Sequence, residues 1–166
     1  MKITILGAGN MGCANAADLT LKVHEVTLVK TSHSMHNETF DYVCAHNNEI
    51  TLWQEGEEQT ARIHAVTTDL SSVATADLVY ITTQTNVHEQ LIQRIAPLLR
   101  TLKAKGARVG LATSKPVDFA RRIADYFGLS PYLDMIAAAP MKETHHASKK
   151  ELIAEALPEK YRRACM

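Results

Sequence analysis

"ILGAGNMGCA" spans residues 5–14, and its three glycines, Gly7, Gly9 and Gly12, fall in the spacing GxGxxG. An apolar run from Lys2 to Leu6 precedes them, and an alanine-rich, helix-prone stretch from Met11 to about Leu21 follows. A second strand-like run, "EVTLV" at Glu25 to Val29, completes a strand, turn, helix and strand within about thirty residues, the length of a βαβ unit with parallel strands. In that setting each glycine has a task. Gly7 makes a tight turn, Gly9 leaves room for a pyrophosphate to approach the backbone, and Gly12 lets the helix lie close on the strand. A helix that starts near Asn10 aims free N–H groups and the positive end of its dipole at the same point. Gly7, Ala8, Gly9, Asn10 and Met11 are therefore the expected pyrophosphate cradle, with Gly12 behind it.

Two other readings share this pattern. The glycines can serve helix-to-strand packing alone, and methyltransferase-type proteins also place a glycine turn after their first strand. The end of the second strand discriminates further. An acidic residue about twenty positions after the glycines holds the ribose 2′-hydroxyl of NAD, whereas a basic one suits the 2′-phosphate of NADP. Here the text is "VTLVKTSHS", with Lys30, Thr31 and Ser32 at that place and no carboxylate before Glu38. A cation with two hydroxyls is chemistry for a phosphate monoester, so NADP is expected, with NAD the alternative. A solvated lysine at a strand end is the plain counter-reading of Lys30.

The rest of the chain continues in α/β punctuation. Residues from Ser32 to about His46 predict a second helix, and "EITLWQEGEEQTARIHAV" predicts a hairpin turning at Gly56. A strand end, a short helix near Leu70 to Ala74 and a buried strand from Leu78 to Thr82 come next. "NVHEQLIQRIAPLLRTL" reads as an amphipathic helix that Pro97 should bend or shorten. A strand from Ala107, a helix opened by Pro116 and closed by Gly128, and a last strand at Met135 to Ala139 follow. Beyond Pro140 a polar run with one amphipathic segment predicts a single helix or a linker.

Composition bounds the partners. At 166 residues one domain is the default, with 1–140 as the domain and 141–166 as its tail. Eighteen Lys and Arg balance eighteen Asp and Glu, so no net field attracts nucleic acid or an anionic membrane surface. No basic and aromatic stripe supports nucleic-acid binding, and no apolar run approaches the ~20 residues that span a bilayer. The glycine turn stands where a signal peptide needs an unbroken apolar core, and Cys13, Cys44 and Cys165 are odd in number and far apart, so a cytoplasmic chain with reduced thiols is expected. Cys13, beside the turn, is either a packed small residue or a thiol activated by the helix terminus. His33, His36, His46, His145 and His146 lack metal-ligand spacing, and no metal site is expected.

"ILGAGNMGCANAADL", "AVTTDLSSVATADLVYITT" and "NVHEQLIQRIAPLL", in that order, resemble the N-terminal domain of the 6-phosphogluconate-dehydrogenase-like oxidoreductases. Within that group the chain looks most like the opine dehydrogenases and the NAD(P)-dependent glycerol-3-phosphate dehydrogenases, with ketopantoate reductase a more distant cousin. The resemblance covers about residues 1–130. It implies a Rossmann-type, doubly wound and mostly parallel sheet carrying NAD(P), here with a hairpin insert, and a helical C-terminal domain that supplies most substrate groups. It puts Thr83 and Gln84 beside the nicotinamide ribose, in a loop running to Thr85. His88 takes the place of the histidine in the opine family's Ala-His-Glu motif, matched by Val87, His88 and Glu89, and Lys115 in "ATSKP" faces substrate. His88 and Lys115 are thus the candidate catalytic residues. A packing or capping histidine and a solvated loop lysine are the plain readings of the same two.

This chain has "TTQTN" where the relatives usually have a proline after the strand, Pro116 where the glycerol-3-phosphate enzymes have glycine, and no opine-type Asn-Pro-Gly. About 25 residues after Pro140 cannot build a helical substrate domain, and hydride transfer needs a second wall to the cleft. A fragment, a short form, or a site completed by a second copy follows from that expectation. The resulting function is the cofactor-binding part of an oxidoreductase acting at a carbonyl or imine carbon of a small carboxylate or phosphate metabolite. The alternative is a stand-alone dinucleotide-binding or redox-sensing module.

Overall fold

The computed structural model describes residues 1–54, 56–84, 87–106 and 109–139. The chain divides into two compact units, Met1–Leu91 and Ile92–Met166, so the expected domain of 1–140 spans both. The expected C-terminal helix or linker at 141–166 lies outside the described residues, as does Thr85.

In the first unit, β1 (Lys2–Leu6), α1 (Asn10–Leu21) and β2 (Glu25–Val29) form the βαβ unit that the glycine spacing predicts. Then come α2 (Asn37–Ala45), the strands β3 (Glu49–Gln54) and β4 (Glu57–Arg62), β5 (Ala65–Thr67), a 3-10 turn at Leu70–Thr75 and β6 (Leu78–Ile81). Four strands make one parallel sheet in the order β5-β2-β1-β6. Chain order therefore reverses between β1 and β6, the kind of place where open α/β sheets take ligands. This is the α/β, mostly parallel Rossmann-type architecture that the sequence implies.

Burial explains the sheet. Ile3, Ile5 and Leu6 of β1 and Val26, Leu28 and Val29 of β2 are all buried, as befits parallel strands covered on both faces. On one face Ala16 and Ala17 of α1 pack into the same cluster, and their small side chains let the helix sit low. The hairpin is a separate antiparallel pair, paired Glu49 to Arg62 through Gln54 to Glu57, and it packs on α1. Ala61 and Ile63 enter the core while Trp53, on the opposite face, is exposed. Among the described residues no helix is long and apolar enough to cross a membrane.

The second unit holds most of α3 (His88–Ala104), then β7 (Gly110–Pro116), α4 (Val117–Tyr126) and β8 (Met135–Ala139). β7 and β8 form their own two-stranded parallel sheet, whose register shifts between Thr113 and Pro116. Helix α4 packs on both strands through Ala120 and Ala124 and leaves Phe119 and Tyr126 exposed. Pro97, expected to bend or shorten α3, lies inside it without ending it. One missing N–H is outweighed by the buried stripe Leu91, Ile95 and Leu99 on the same helix.

Two departures at helix ends have local causes. Helix α2 begins at Asn37, later than the predicted Ser32, because His36 adopts a left-handed conformation at φ 59°. Helix α1 ends in a Schellman motif: Val23 N–H donates to Thr20 O at 3.0 Å and His24 N–H to Leu19 O at 3.2 Å. The same motif ends α4, where Gly128 supplies the positive φ, but α1 puts Val23 there at φ 64°. A β-branched residue in that region is strained, and Val23 is 90% exposed, so its side chain gains nothing by packing.

Val23→Gly should therefore stabilise the chain by about 1 kcal/mol, the relief of a left-handed valine less the entropy of glycine, read as a higher denaturation midpoint in urea. Gly12→Ala should have the opposite effect, because a Cβ there would lie 1.7 Å from the Gly7 carbonyl oxygen. A loss of at least about 2 kcal/mol in the same measurement is expected.

Candidate functional site

The turn from Leu6 to Asn10 sits where β1 and β6 part, at the chain-order reversal of the first unit. Gly7 has φ +119°, and a Cβ on it would meet Thr82 Oγ1 at 2.8 Å and Thr83 Cγ2 at 3.0 Å. The turn is tied to both neighbouring strands. Gly7 N–H donates to Val29 O at 2.9 Å, Thr82 N–H donates to Leu6 O at 2.9 Å, and Thr82 Oγ1 donates to Gly7 O at 3.0 Å.

Helix α1 starts directly over this turn. Cys13 N–H donates to Gly9 O at 2.9 Å, while Gly9, the residue preceding the helix, offers no side-chain cap and the first turn carries no acidic residue. The N–H groups at the start of such a helix have no partner within it, and the helix dipole adds positive potential there. Asn10 and Met11 are exposed, Gly9 is half-buried and Ala8 is buried. Gly9 itself has φ −83°, which any residue adopts. What glycine provides at this position is space, and the His36 ring occupies it: Nε2 lies 3.2 Å from the position of a Cβ on Gly9.

Cys13 follows the plainer of its two readings. It is buried, Sγ donates to Ala8 O at 3.7 Å, and burial pushes the thiol above its ordinary pKa. Desolvation of a thiolate outweighs the helix terminus here.

At the end of β2, Lys30 is 8% exposed, and its N–H donates to Thr67 O at 2.9 Å, fixing it to β5. Its ammonium donates to Ser32 O and lies 5.8 Å from the centre of the Phe40 ring. The solvated-lysine reading therefore fails. No carboxylate pairs with this ammonium among the described residues. Ser32 Oγ accepts from Met35 N–H at 2.8 Å, and Thr31 is half-buried.

On the other side of the turn, Thr83 Oγ1 is buried and has no hydrogen-bond partner, and Gln84 is exposed. The half-buried His88 lies with Nε2 3.0 Å from Thr83 O. A carbonyl oxygen only accepts, so Nε2 carries the hydrogen and Nδ1 is the remaining acceptor. In "TTDL", Asp69 accepts from Ser71 N–H at 2.9 Å as the cap of the 3-10 turn, and the Ser71 hydroxyl and N–H together hold its carboxyl below the usual range. Lys115 belongs to the second unit. It is exposed at the end of β7, and its N–H donates to Thr113 Oγ1 at 3.3 Å.

The first unit thus brings together the turn, Thr83 and His88, with Lys30 at the end of the adjacent strand. His36 and Phe40 are the participants that sequence reasoning missed. Nothing in a linear text signals a histidine held in a left-handed conformation, although "KTSHSMH" shows that the loop is rich in groups able to meet an anion. Among the described residues no cluster of three or more His, Cys, Asp or Glu side chains stands ready for a metal ion.

Known proteins resemble this chain in different ways. In fold it is similar to a protein of Ralstonia solanacearum assigned as a ketopantoate reductase, with TM-score 0.51, 18% identity, and 84% of this chain and 45% of that one covered. It is also similar to one of Enterococcus faecalis assigned as a 2-dehydropantoate 2-reductase, with TM-score 0.50, 19% identity and coverage of 76% and 37%. These likenesses bear out the Rossmann-type fold, through the group that the sequence placed as a more distant cousin. In sequence, 67 residues are 39% identical to the tyrosine-protein kinase PtkA of Mycobacterium tuberculosis, covering 40% of this chain and 23% of that protein. The chain thus matches about a quarter of the length of that curated relative. The family model for haloacid dehalogenase-like hydrolases matches residues 12–166, leaving β1, Gly7 and Gly9 outside it. Covered from Gly12 to Met166, the chain belongs to the haloacid dehalogenase-like hydrolase family.

Proposed function

We propose that the first unit binds a nicotinamide dinucleotide, NADP in preference to NAD, as the cofactor-binding part of an oxidoreductase. The observation that carries this reading is the uncapped start of α1, held at the reversal between β1 and β6 by a turn that tolerates no side chain at Gly7 or Gly12. Backbone N–H groups fixed in that way suit a pyrophosphate. The bound dinucleotide would supply or accept a hydride.

Lys30 supports the choice of NADP. The part-buried ammonium of Lys30 has one carbonyl acceptor and no carboxylate among the described residues, and a 2′-phosphate at the end of β2 would give it a charge-assisted partner. Thr31 and Ser32 complete the ribose end. Thr83, with its unpartnered buried hydroxyl, and Gln84 line the nicotinamide side. His88 holds the Thr83 carbonyl in place, with Nδ1 left for proton chemistry. The substrate class remains a small carboxylate or phosphate metabolite reduced at a carbonyl or imine carbon. A module that binds the same dinucleotide without turnover is the alternative, and it uses the same residues.

Family membership favours a second reading, hydrolysis in the second unit. There the bulged end of β7 carries the Thr113 hydroxyl and Lys115, groups suited to an anionic substrate. A hydrolase also needs a nucleophile or base, and the described acids of that unit are largely engaged. Asp134 accepts from Lys103 Nζ and Val109 N–H, and Asp125 accepts from the Ser130 hydroxyl. Asp118, in the first turn of α4, is the carboxylate nearest in sequence to Lys115.

Fluorescence titration of the chain with NADPH and NADH tests the first reading. NADPH should bind about tenfold more tightly, the worth of one charge-assisted hydrogen bond, and Lys30→Met, which keeps the packed stem, should remove that preference. Binding of neither nucleotide would overturn the reading, and phosphate-ester hydrolysis that Asp118→Asn abolishes would favour the second. Gly9→Ala should leave the denaturation midpoint within about 0.5 kcal/mol of wild type, since its Cβ meets only a movable ring, yet weaken NADPH about tenfold or more by filling the space a phosphate needs.

A further inference from the structure

The three heavy atoms nearest a Cβ on Gly9 all belong to the His36 imidazole: Nε2 at 3.2 Å, Cδ2 at 3.5 Å and Cε1 at 3.5 Å. The ring lies on the patch of backbone that Gly9 leaves bare. Its position is built by the loop. Lys30 Nζ holds Ser32 O, Ser32 Oγ holds Met35 N–H, and His36 O accepts Phe40 N–H at 3.1 Å as α2 begins. His36 itself is held at φ 59°, a conformation uncommon outside glycine and costly unless its surroundings impose it.

We propose that His36 is a phosphate-binding residue of the dinucleotide site: its imidazole covers Gly9 in the free chain and, when a dinucleotide enters, yields the backbone and donates a hydrogen bond to a pyrophosphate oxygen. This rests on the dinucleotide reading and adds to it a residue and a pH dependence. The chemistry favours the protonated ring. A diphosphate diester is anionic and accepts hydrogen bonds only, while an imidazolium donates from both nitrogens and adds a charge-assisted bond. The ionisable groups nearest His36 along the chain are Lys30 and His33 in its own loop and Glu38 in the first turn of α2, and the first turn of α1, which the ring approaches at Gly9, contributes no acid. With no carboxylate from α1 to pair with it, the bound anion becomes the partner that favours the charged ring.

The sign follows from linkage. A charged ring donates from both nitrogens and pairs with the anion, so the extra affinity is greatest where the ring is protonated and falls as pH rises.

NADPH titrations of wild type and His36→Gln at pH 6.0 and pH 8.0 test this. The 2′-phosphate titrates in the same range, so the informative quantity is the ratio of the two dissociation constants at each pH. His36→Gln should bind about three- to tenfold more weakly than wild type at pH 6.0 and within about twofold at pH 8.0. His33→Gln should behave as wild type at both. A ratio that does not change with pH, or a change shared by His33→Gln, overturns the role of His36 while the dinucleotide site stands. Failure of wild type to bind NADPH at either pH overturns both, and equal urea midpoints for the variants exclude a folding effect.

Discussion

A Cβ on Gly12 would stand 1.7 Å from the carbonyl oxygen of Gly7, which means that α1 is pressed against the turn at backbone contact. Everything in the first unit is arranged around that contact. It lets Ala16 and Ala17 reach the sheet, where Ile3, Ile5, Val26 and Leu28 form the core, and it gives the hairpin a low helix to cover with Ala61 and Ile63. It also fixes where α1 begins, directly over the turn at the reversal between β1 and β6. Close packing of α1 and the exposed placement of its uncapped start are here two consequences of one absent side chain.

The three glycines serve different physical ends. Gly7 is required by conformation and by crowding from Thr82 and Thr83, and Gly12 by the crowding of its own helix on the turn. Gly9 is required by neither, and the ring over it is the end of a movable side chain. A fold that merely needed close packing would be indifferent to a small side chain at Gly9, and this separates a ligand-binding turn from a packing turn.

Much of this was legible in the text because it is local. Periodicity and glycine spacing fix β1, α1 and β2, the turn at Gly56 fixes the hairpin, and Pro116 and Gly128 bracket α4. What escaped depends on groups brought together from a distance. Phe40 lies beneath the Lys30 ammonium, and His36 lies over Gly9, 27 positions earlier in the chain. The division at Leu91 and Ile92 escaped for a related reason: α3 crosses it as one continuous helix, and no Gly- or Pro-rich linker marks it in the sequence. Val23 misled in a subtler way, since a valine in the position that ends α1 gives no sign of the left-handed turn it is made to adopt.

On the dinucleotide reading, the glycine turn would fix the class of ligand and the loop that follows β2 would decide among its members. Backbone N–H groups at a helix start recognise a pyrophosphate whatever is attached to it, because every dinucleotide presents the same oxygens. Discrimination has to come from side chains, and residues 30–40 hold them in an ordered arrangement: Lys30 tied to Ser32, Ser32 tied to Met35, and His36 leading into α2. Lys30 is only 8% exposed, and its ammonium is held by Ser32 O and lies near the Phe40 ring before any ligand arrives, so part of its ordering is met by folding. A preorganised cation loses less on binding an anion than a solvated lysine would, since a solvated side chain gives up both water and rotamer freedom. The family match runs over residues 12–166 and so spans Lys30, His36 and Phe40 but not Gly7 or Gly9. On the dinucleotide reading, the pyrophosphate cradle would lie outside the family match and the discriminating side chains inside it.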